Sequence, residues 1–237
     1  MVSRRIESKV GMKTTLIACT LNEIEAVQIV LPQIKTDWVD EILIVDGGST
    51  DGTVEWCRAN GYKVLAQAGR GYGAGIRQAV DVAAGDVIIE FPPDGNSMAS
   101  KIQPLLAKVT EGYDLVIVSR YREGARSLDD DFMTGIGNWM FTRLTNLIYG
   151  TSYTDVLVGF RAYRKDAFKT LQLDEDGLSF PYQEVIRFAR KGYRITEIPG
   201  DEPPRIGGQR KMRILGTGLE ILGVMIRERF TNDYLTA

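Results

Sequence analysis

Residues 87–96, VIIEFPPDGN, constrain the fold most: a short β-branched run, two prolines, then Asp94, Gly95 and Asn96. Val87, Ile88 and Ile89 have no polar interruption, which suits a strand covered on both faces at the centre of a parallel sheet. Pro92 and Pro93 cannot donate to a ladder. Asp94 and Asn96 therefore fall just past the carboxyl end of that strand, where open α/β sheets bind their ligands. A carboxylate and an amide oxygen two residues apart, joined by a permissive glycine, can both turn toward one hard cation or one sugar-phosphate. Pro-Asp-Gly-Asn is also an ordinary turn sequence, so the neighbouring segments must decide.

Those segments repeat the pattern. Residues 14–19 (TTLIAC), 41–45 (EILIV), 62–66 and 114–118 read as strands. Residues 23–34, 53–60, a stretch around 76–84 and 100–111 read as the helices between them, with Ser49 or Asp51 placed to cap the helix at Thr53. The alternation, at roughly 20- to 30-residue intervals, is that of right-handed βαβ units on a largely parallel sheet. After residue 119 the chain changes character. A polar stretch, 119–131, precedes an apolar-faced helix at 132–149. A strand-like stretch at 154–163 (TDVLVGFRAY) is interrupted at Gly159. A helix at 181–191, a strand at 193–198 and a final helix at 212–230 follow, the last with Arg213, Arg227 and Arg229 near its ends.

Composition narrows the chemistry. With 237 residues, 44% hydrophobic, the chain can bury one substantial core. A net charge of −2 gives no support to nucleic-acid binding. The absence of histidine removes Ser-His-Asp catalysis and the usual zinc hydrolases. Cys19 and Cys57 each sit in an expected buried element, which suits a reducing, cytoplasmic compartment. No stretch reaches the ~18 to 20 apolar residues of a membrane span.

Polar residues gather at three strand ends: Thr20, Asn22 and Glu23 after the first, Asp46 after the second, Asp94 after the central one. In one sheet, three such ends in register make a nucleotide site a better reading than three separate turns. Residues 69–75 (GRGYGAG) suggest a dinucleotide-binding loop, but that fingerprint follows the first strand, and here Asp46 comes before the glycines. A loop lying against a nucleotide with Arg70 toward phosphate fits better. Arg120, Arg122 and Arg126 follow a strand end, and Arg205, Arg210 and Lys211 crowd a later loop, both suited to phosphate recognition.

Taken together, LNEIEAV, IVDGGSTDGT, the glycine turn, AAGDVIIEFPPDGN and VIVSRYREG resemble the nucleotide-binding half of an inverting GT-A glycosyltransferase of family 2. TDVLVGFRAYRK, FPYQEVIRFARKGYRITEIP and RIGGQRK are similar to its polyprenyl-phosphate (dolichyl-phosphate) mannosyl- and glucosyltransferase branch. The resemblance implies a single α/β domain, with a mainly parallel mixed sheet flanked by helices, over residues 14–230. Within it, 14–120 are the nucleotide-binding half, 121–211 the acceptor half and 212–230 the C-terminal helix, with 1–13 an extension and 231–237 a tail. It further implies that Thr20, Asn22, Glu23 and Asp46 line the nucleoside of a GDP- or UDP-sugar. Asp94 and Asn96 would hold Mg²⁺ or Mn²⁺ and the diphosphate, Arg120 would lie near the sugar or acceptor phosphate, and Arg205 and Lys211 would close over the donor. Asp155 matches a proposed base; a hydroxyl acceptor would need it or Glu184, whereas a phosphate acceptor needs no strong base.

Two departures accompany the likeness. Pro92 stands where the family's acidic pair begins, and Glu90 lies too far back along its strand to replace it. No transmembrane hairpin follows within the 237 residues, so a lipid would be met at the membrane surface, with the last helix as the candidate contact. Packing of that helix on the sheet or on a second subunit, as in a homodimer, ranks first. The leading acceptor is a polyprenyl phosphate. A soluble glycan or natural-product hydroxyl comes second, and a nucleotide-sugar binder without turnover third.

Overall fold

Seven strands make one sheet: β1 (Thr14–Thr20), β2 (Glu41–Asp46), β3 (Lys63–Ala66), β4 (Val87–Glu90), β5 (Leu115–Ser119), β6 (Arg161–Arg164) and β7 (Ile195–Pro199). The computed structural model describes residues 11–208 and 212–235. The strand order is β3-β2-β1-β4-β6-β5-β7, and β6 alone runs against its neighbours. Helices α1 (Ile24–Val30), α2 (Thr53–Ala59), α3 (Tyr72–Val82), α4 (Ile102–Thr110), α5 (Phe132–Tyr149), α6 (Lys165–Lys169), α7 (Phe180–Arg190) and α8 (Ile214–Phe230) cover the sheet.

The pleat separates two cores. Leu16, Ile44, Ile89 and Val116 point to the face covered by α1, α2 and α4, where Val27, Cys57 and Leu105 meet them. Ile17, Leu43, Ile88 and Ile117 point the other way, toward Ile76, Phe180, Val185 and Ile221 from α3, α7 and α8. Strands buried on both faces must be apolar throughout, which is why these read as runs without alternation.

Two expected elements differ. The helix expected over 23–34 is α-helical only to Val30 and finishes as a 3-10 turn, Leu31–Gln33, because Pro32 lacks an amide donor. The strand expected over 154–163 begins only at Arg161. Before it the chain is held by side chains: Glu197 accepts from the backbone amides of Thr154 and Asp155 at 2.9 Å each, which removes them from any ladder.

A buried ionic group lies where β4, β6 and α7 meet. Arg161, Glu90 and Glu184 are all fully buried. Arg161 Nη1 donates to Glu184 Oε2 at 2.8 Å, and the phenols of Tyr72 and Tyr163 each donate to Glu90 at 2.8 Å. Glu90 therefore faces into the core and not into the cleft beyond Pro92, in keeping with its expected position.

Candidate active site

A cleft opens where β1 and β4 end. Its main chamber, about 640 Å³, is walled by Thr20 and Glu23 after β1, Arg70 and Tyr72 around the start of α3, Asp94 and Asn96 after β4, and Asp129, Glu202 and Arg205 from the second half. An annex of about 190 Å³ shares Asp94, Asn96 and Glu202 and reaches Arg120 and Gly159. Residues from distant parts of the chain meet here because the strand ends are adjacent in the sheet: Thr20 lies opposite Asp46, and Ile17 opposite Glu90.

Asp46 builds the wall from behind. Its Oδ1 accepts from Thr20 Oγ1 at 3.0 Å, and its Oδ2 accepts from the amides of Gly48 and Ser49 at 2.9 and 2.8 Å. It is 6% exposed and does not line the chamber, so its oxygens are engaged by the loop before any nucleoside arrives. Asn22 works similarly. It sits at φ 55°, which an amide side chain tolerates, with its Oδ1 accepting from Thr50 N at 2.8 Å. The cap residue of α2 is Gly52 at φ 95°, not Ser49 or Asp51 as expected; Asp51, one residue earlier, accepts from Thr53 N and also from Ile24 N at the start of α1, both at 3.0 Å.

The glycines of the 69–75 turn serve close packing. A Cβ on Gly71 or Gly73 would overlap the backbone oxygen of Asp176 or Glu175. Gly73 N donates to Asp176 O at 2.8 Å, so this amide is unavailable to a phosphate. Arg70 is exposed on the chamber wall.

Charge concentrates around Asp94. Arg205 Nη2 reaches Asp94 Oδ2 at 2.6 Å, and its Nη1 reaches Glu23 Oε1 at 3.1 Å. Asn96 Nδ2 donates to Asp129 Oδ2 at 3.0 Å, while Asn96 Oδ1 is buried with no hydrogen-bond partner. An orphaned amide oxygen two residues from a carboxylate is a hard oxygen pair, the donor type a divalent cation such as Mg²⁺ takes when phosphates complete its shell. The residues present fit such an ion.

Arg120 and Asp155 form a separate, locked pair. Arg120 Nε and Nη2 grip the two oxygens of Asp155 at 2.7 and 3.0 Å, and Glu202 and Asp130 stand 3.3 and 3.4 Å from Nη1. Burial opposes the charge on Arg120, but Asp155, Glu202 and Asp130 outweigh it and hold the guanidinium pKa well above its ordinary value. Asp155 is fully buried and stands outside both chambers. Glu184, the other candidate base, is closed off on Arg161. Arg122 stands 3.5 Å from Glu197. Arg210 and Lys211 lie outside the described residues.

Among the wall residues named above, Tyr72, Asp129 and Glu202 were not anticipated from the sequence. Asp129 opens an acidic triplet, 129–131, the one local signal available. Glu202 is brought in by a bridge to Ser127, and burial raises its carboxyl pKa against the opposing pull of Arg120.

The mixed sheet, with an acid-lined cleft at the carboxyl ends of its parallel strands, is a GT-A-like α/β fold. Glucosyl-3-phosphoglycerate synthase from Mycobacterium tuberculosis, crystallised with Mn²⁺, uridine diphosphate and phosphoglyceric acid, superposes with a TM-score of 0.75 at 21% identity, over 94% of this chain and 80% of that one. Within the class, the chain belongs to glycosyl transferase family 2, whose pattern matches residues 15–172. A glycosyltransferase of Haloferax volcanii, AglJ, is 32% identical over 80% of the chain, which spans 62% of that relative's length. A dolichyl-phosphate hexose transferase of the same organism is 32% identical, covering 89% of this chain and 92% of its own. An undecaprenyl-phosphate mannosyltransferase of Micrococcus luteus is 31% identical, covering 85% and 88%.

Proposed function

We propose that the chain transfers a hexose, with inversion, from a GDP- or UDP-sugar to a polyprenyl phosphate. The names of the two near-full-length relatives support this acceptor. The observation that carries it further is that Asp155 and Glu184, the carboxylates suited by sequence to activate a hydroxyl, are each consumed by a buried arginine. A phosphate acceptor is already anionic and needs no base.

In this mechanism the donor diphosphate lies in the main chamber between Asp94, Asn96 and Arg205, with Thr20 and Glu23 toward the nucleoside. Asp94 and Asn96 Oδ1 would hold Mg²⁺ or Mn²⁺, which neutralises charge developing on the leaving diphosphate. Arg205 adds a forked donor for the same oxygens. The acceptor oxygen approaches through the annex, where Arg120 is fixed in place by Asp155. A hydroxyl acceptor remains the second reading because Glu202 lines both chambers and its raised pKa would suit a base.

Incubating the protein with a panel of GDP- and UDP-sugars and either cation, with and without polyprenyl phosphate in detergent, tests this. Nucleoside diphosphate release is expected to depend on the lipid. Release that instead follows a soluble glycan moves the assignment to the hydroxyl reading.

The lipid would be met at the membrane surface. Among the described residues no helix is long and apolar enough to cross a membrane. The final helix does pack, as first expected, burying Ile221, Val224 and Met225, yet Leu215 and Leu219 remain 81% and 71% exposed. Phe132 and Leu147 of the neighbouring α5 are each 81% exposed. We assign the exposed apolar residues of these two helices to the bilayer interface. Leu215→Glu with Leu219→Glu is expected to weaken co-sedimentation with anionic vesicles at least about tenfold, since each leucine contributes roughly 1.5–3 kcal/mol on burial. A variant that instead converts a dimer to a monomer with vesicle binding unchanged assigns these residues to a second copy.

A further inference from the structure

We infer that Arg205 is a positioning residue whose guanidinium competes with a divalent cation for Asp94, so that the cation enters together with the nucleotide diphosphate and not before it. This inference rests on the donor site proposed above and concerns the order in which that site fills.

The loop after β7 is fastened across the cleft at several points. Arg205 Nη2 holds Asp94 Oδ2 at 2.6 Å, and its backbone amide donates to Asp129 Oδ1 at 3.3 Å. Ile206 N donates to Asp94 O at 2.9 Å. Gly95 admits the Ile206 side chain, because a Cβ there would lie 2.6 Å from Ile206 Cγ1. A guanidinium therefore sits against the only carboxylate left in the family's metal-binding stretch, the first position having become Pro92. Arg205 shares its charge between this carboxylate and that of Glu23, with the shorter contact on Asp94.

Among the described residues, the arrangement leaves Asn96 Oδ1 and Arg205 Nε without hydrogen-bond partners, and these atoms are of opposite kinds. Asn96 Oδ1 is an acceptor and Arg205 Nε carries a donor hydrogen; both are buried and unbonded. A bare cation would satisfy Asn96 and Asp94, but it would displace the guanidinium from Asp94 and leave it on Glu23 alone. A bare diphosphate would suit Arg205, but it would bring its charge against Asp94. A cation bound to a diphosphate meets both requirements at once, the cation taking Asp94 and Asn96 Oδ1 and the phosphate oxygens taking Arg205. Cation and nucleotide must then raise each other's affinity by the same factor.

Mn²⁺ binding to the full chain, measured by electron paramagnetic resonance with and without UDP or GDP, tests this without turnover. The wild type is expected to bind Mn²⁺ weakly alone and at least about fivefold more tightly with the fitting nucleotide. Arg205→Gln is expected to bind Mn²⁺ alone more tightly than the wild type and to lose most of the nucleotide-dependent gain. Arg205→Lys, which keeps a cation over Asp94, should stay near the wild type in Mn²⁺ alone. Asp94→Asn removes the binding that both depend on. Mn²⁺ affinity that depends on Asp94 and on nucleotide but is indifferent to Arg205→Gln overturns this inference alone. Failure of every protein to bind Mn²⁺ through Asp94 overturns it together with the donor reading.

Discussion

Arg161→Met is expected to destabilise the fold by about 3–5 kcal/mol, the cost of leaving a buried charge without its partner. Arg161 is fully buried, with Nη1 bonded to Glu184 Oε2 at 2.8 Å and to Pro181 O at 2.9 Å. Its removal leaves Glu90 and Glu184 in one core with no cation between them. Burial already raises the pKa of both carboxyls, most strongly that of Glu184. A carboxyl whose folded pKa is raised binds more protons folded than unfolded between the two values. Stability therefore falls as pH rises from the ordinary carboxylate range through the folded pKa. Arg161→Met should steepen that fall, and adding Glu184→Gln should flatten it and recover part of the loss. Urea unfolding at pH 5 and pH 8 reads both effects; equal stability of the variant and wild type at both pH values would exclude the charge account.

Asp94→Ala is expected to reduce donor turnover by at least about 10²–10³-fold, the scale of losing one preorganised group that stabilises transition-state charge. The side chain is 15% exposed and lies at the cleft wall, so the far-ultraviolet circular dichroism should not change. Asp155→Asn is different in kind. It breaks the two-point hold on Arg120, and its effect should follow the geometry of the acceptor, appearing in the KM for the lipid more than for the nucleotide sugar. Turnover by Asp94→Ala at the wild-type rate would move the donor site elsewhere.

Much of the architecture was legible because it depends on local pattern. The uninterrupted runs at 14–19, 41–45, 87–89 and 114–118 became strands, since a strand covered on both faces must be apolar along its whole length. Pro92 and Pro93 end β4 and deliver Asp94 to the cleft, as their missing amide donors require. The stretch at 154–160 misled for the opposite reason. Its residues have strand composition, but Glu197, forty-two positions after Asp155, takes the backbone amides a ladder would have used. Nothing within the stretch announces that partner.

The sequence by itself determined the mainly parallel α/β sheet, the family likeness and the placement of Thr20, Glu23, Asp94 and Asn96 at strand ends, all consequences of periodicity and of short segments whose chemistry is local. Only the tertiary structure decided which charged groups are available to a ligand. Asp46 is engaged by its own loop, Asp155 is held on Arg120, Glu184 is shut in the core on Arg161, and Arg205 stands on Asp94. Each of these outcomes depends on a partner brought close by the fold. A carboxylate's freedom is set by the nearest opposite charge and by its access to water, and neither can be read from its neighbours along the chain.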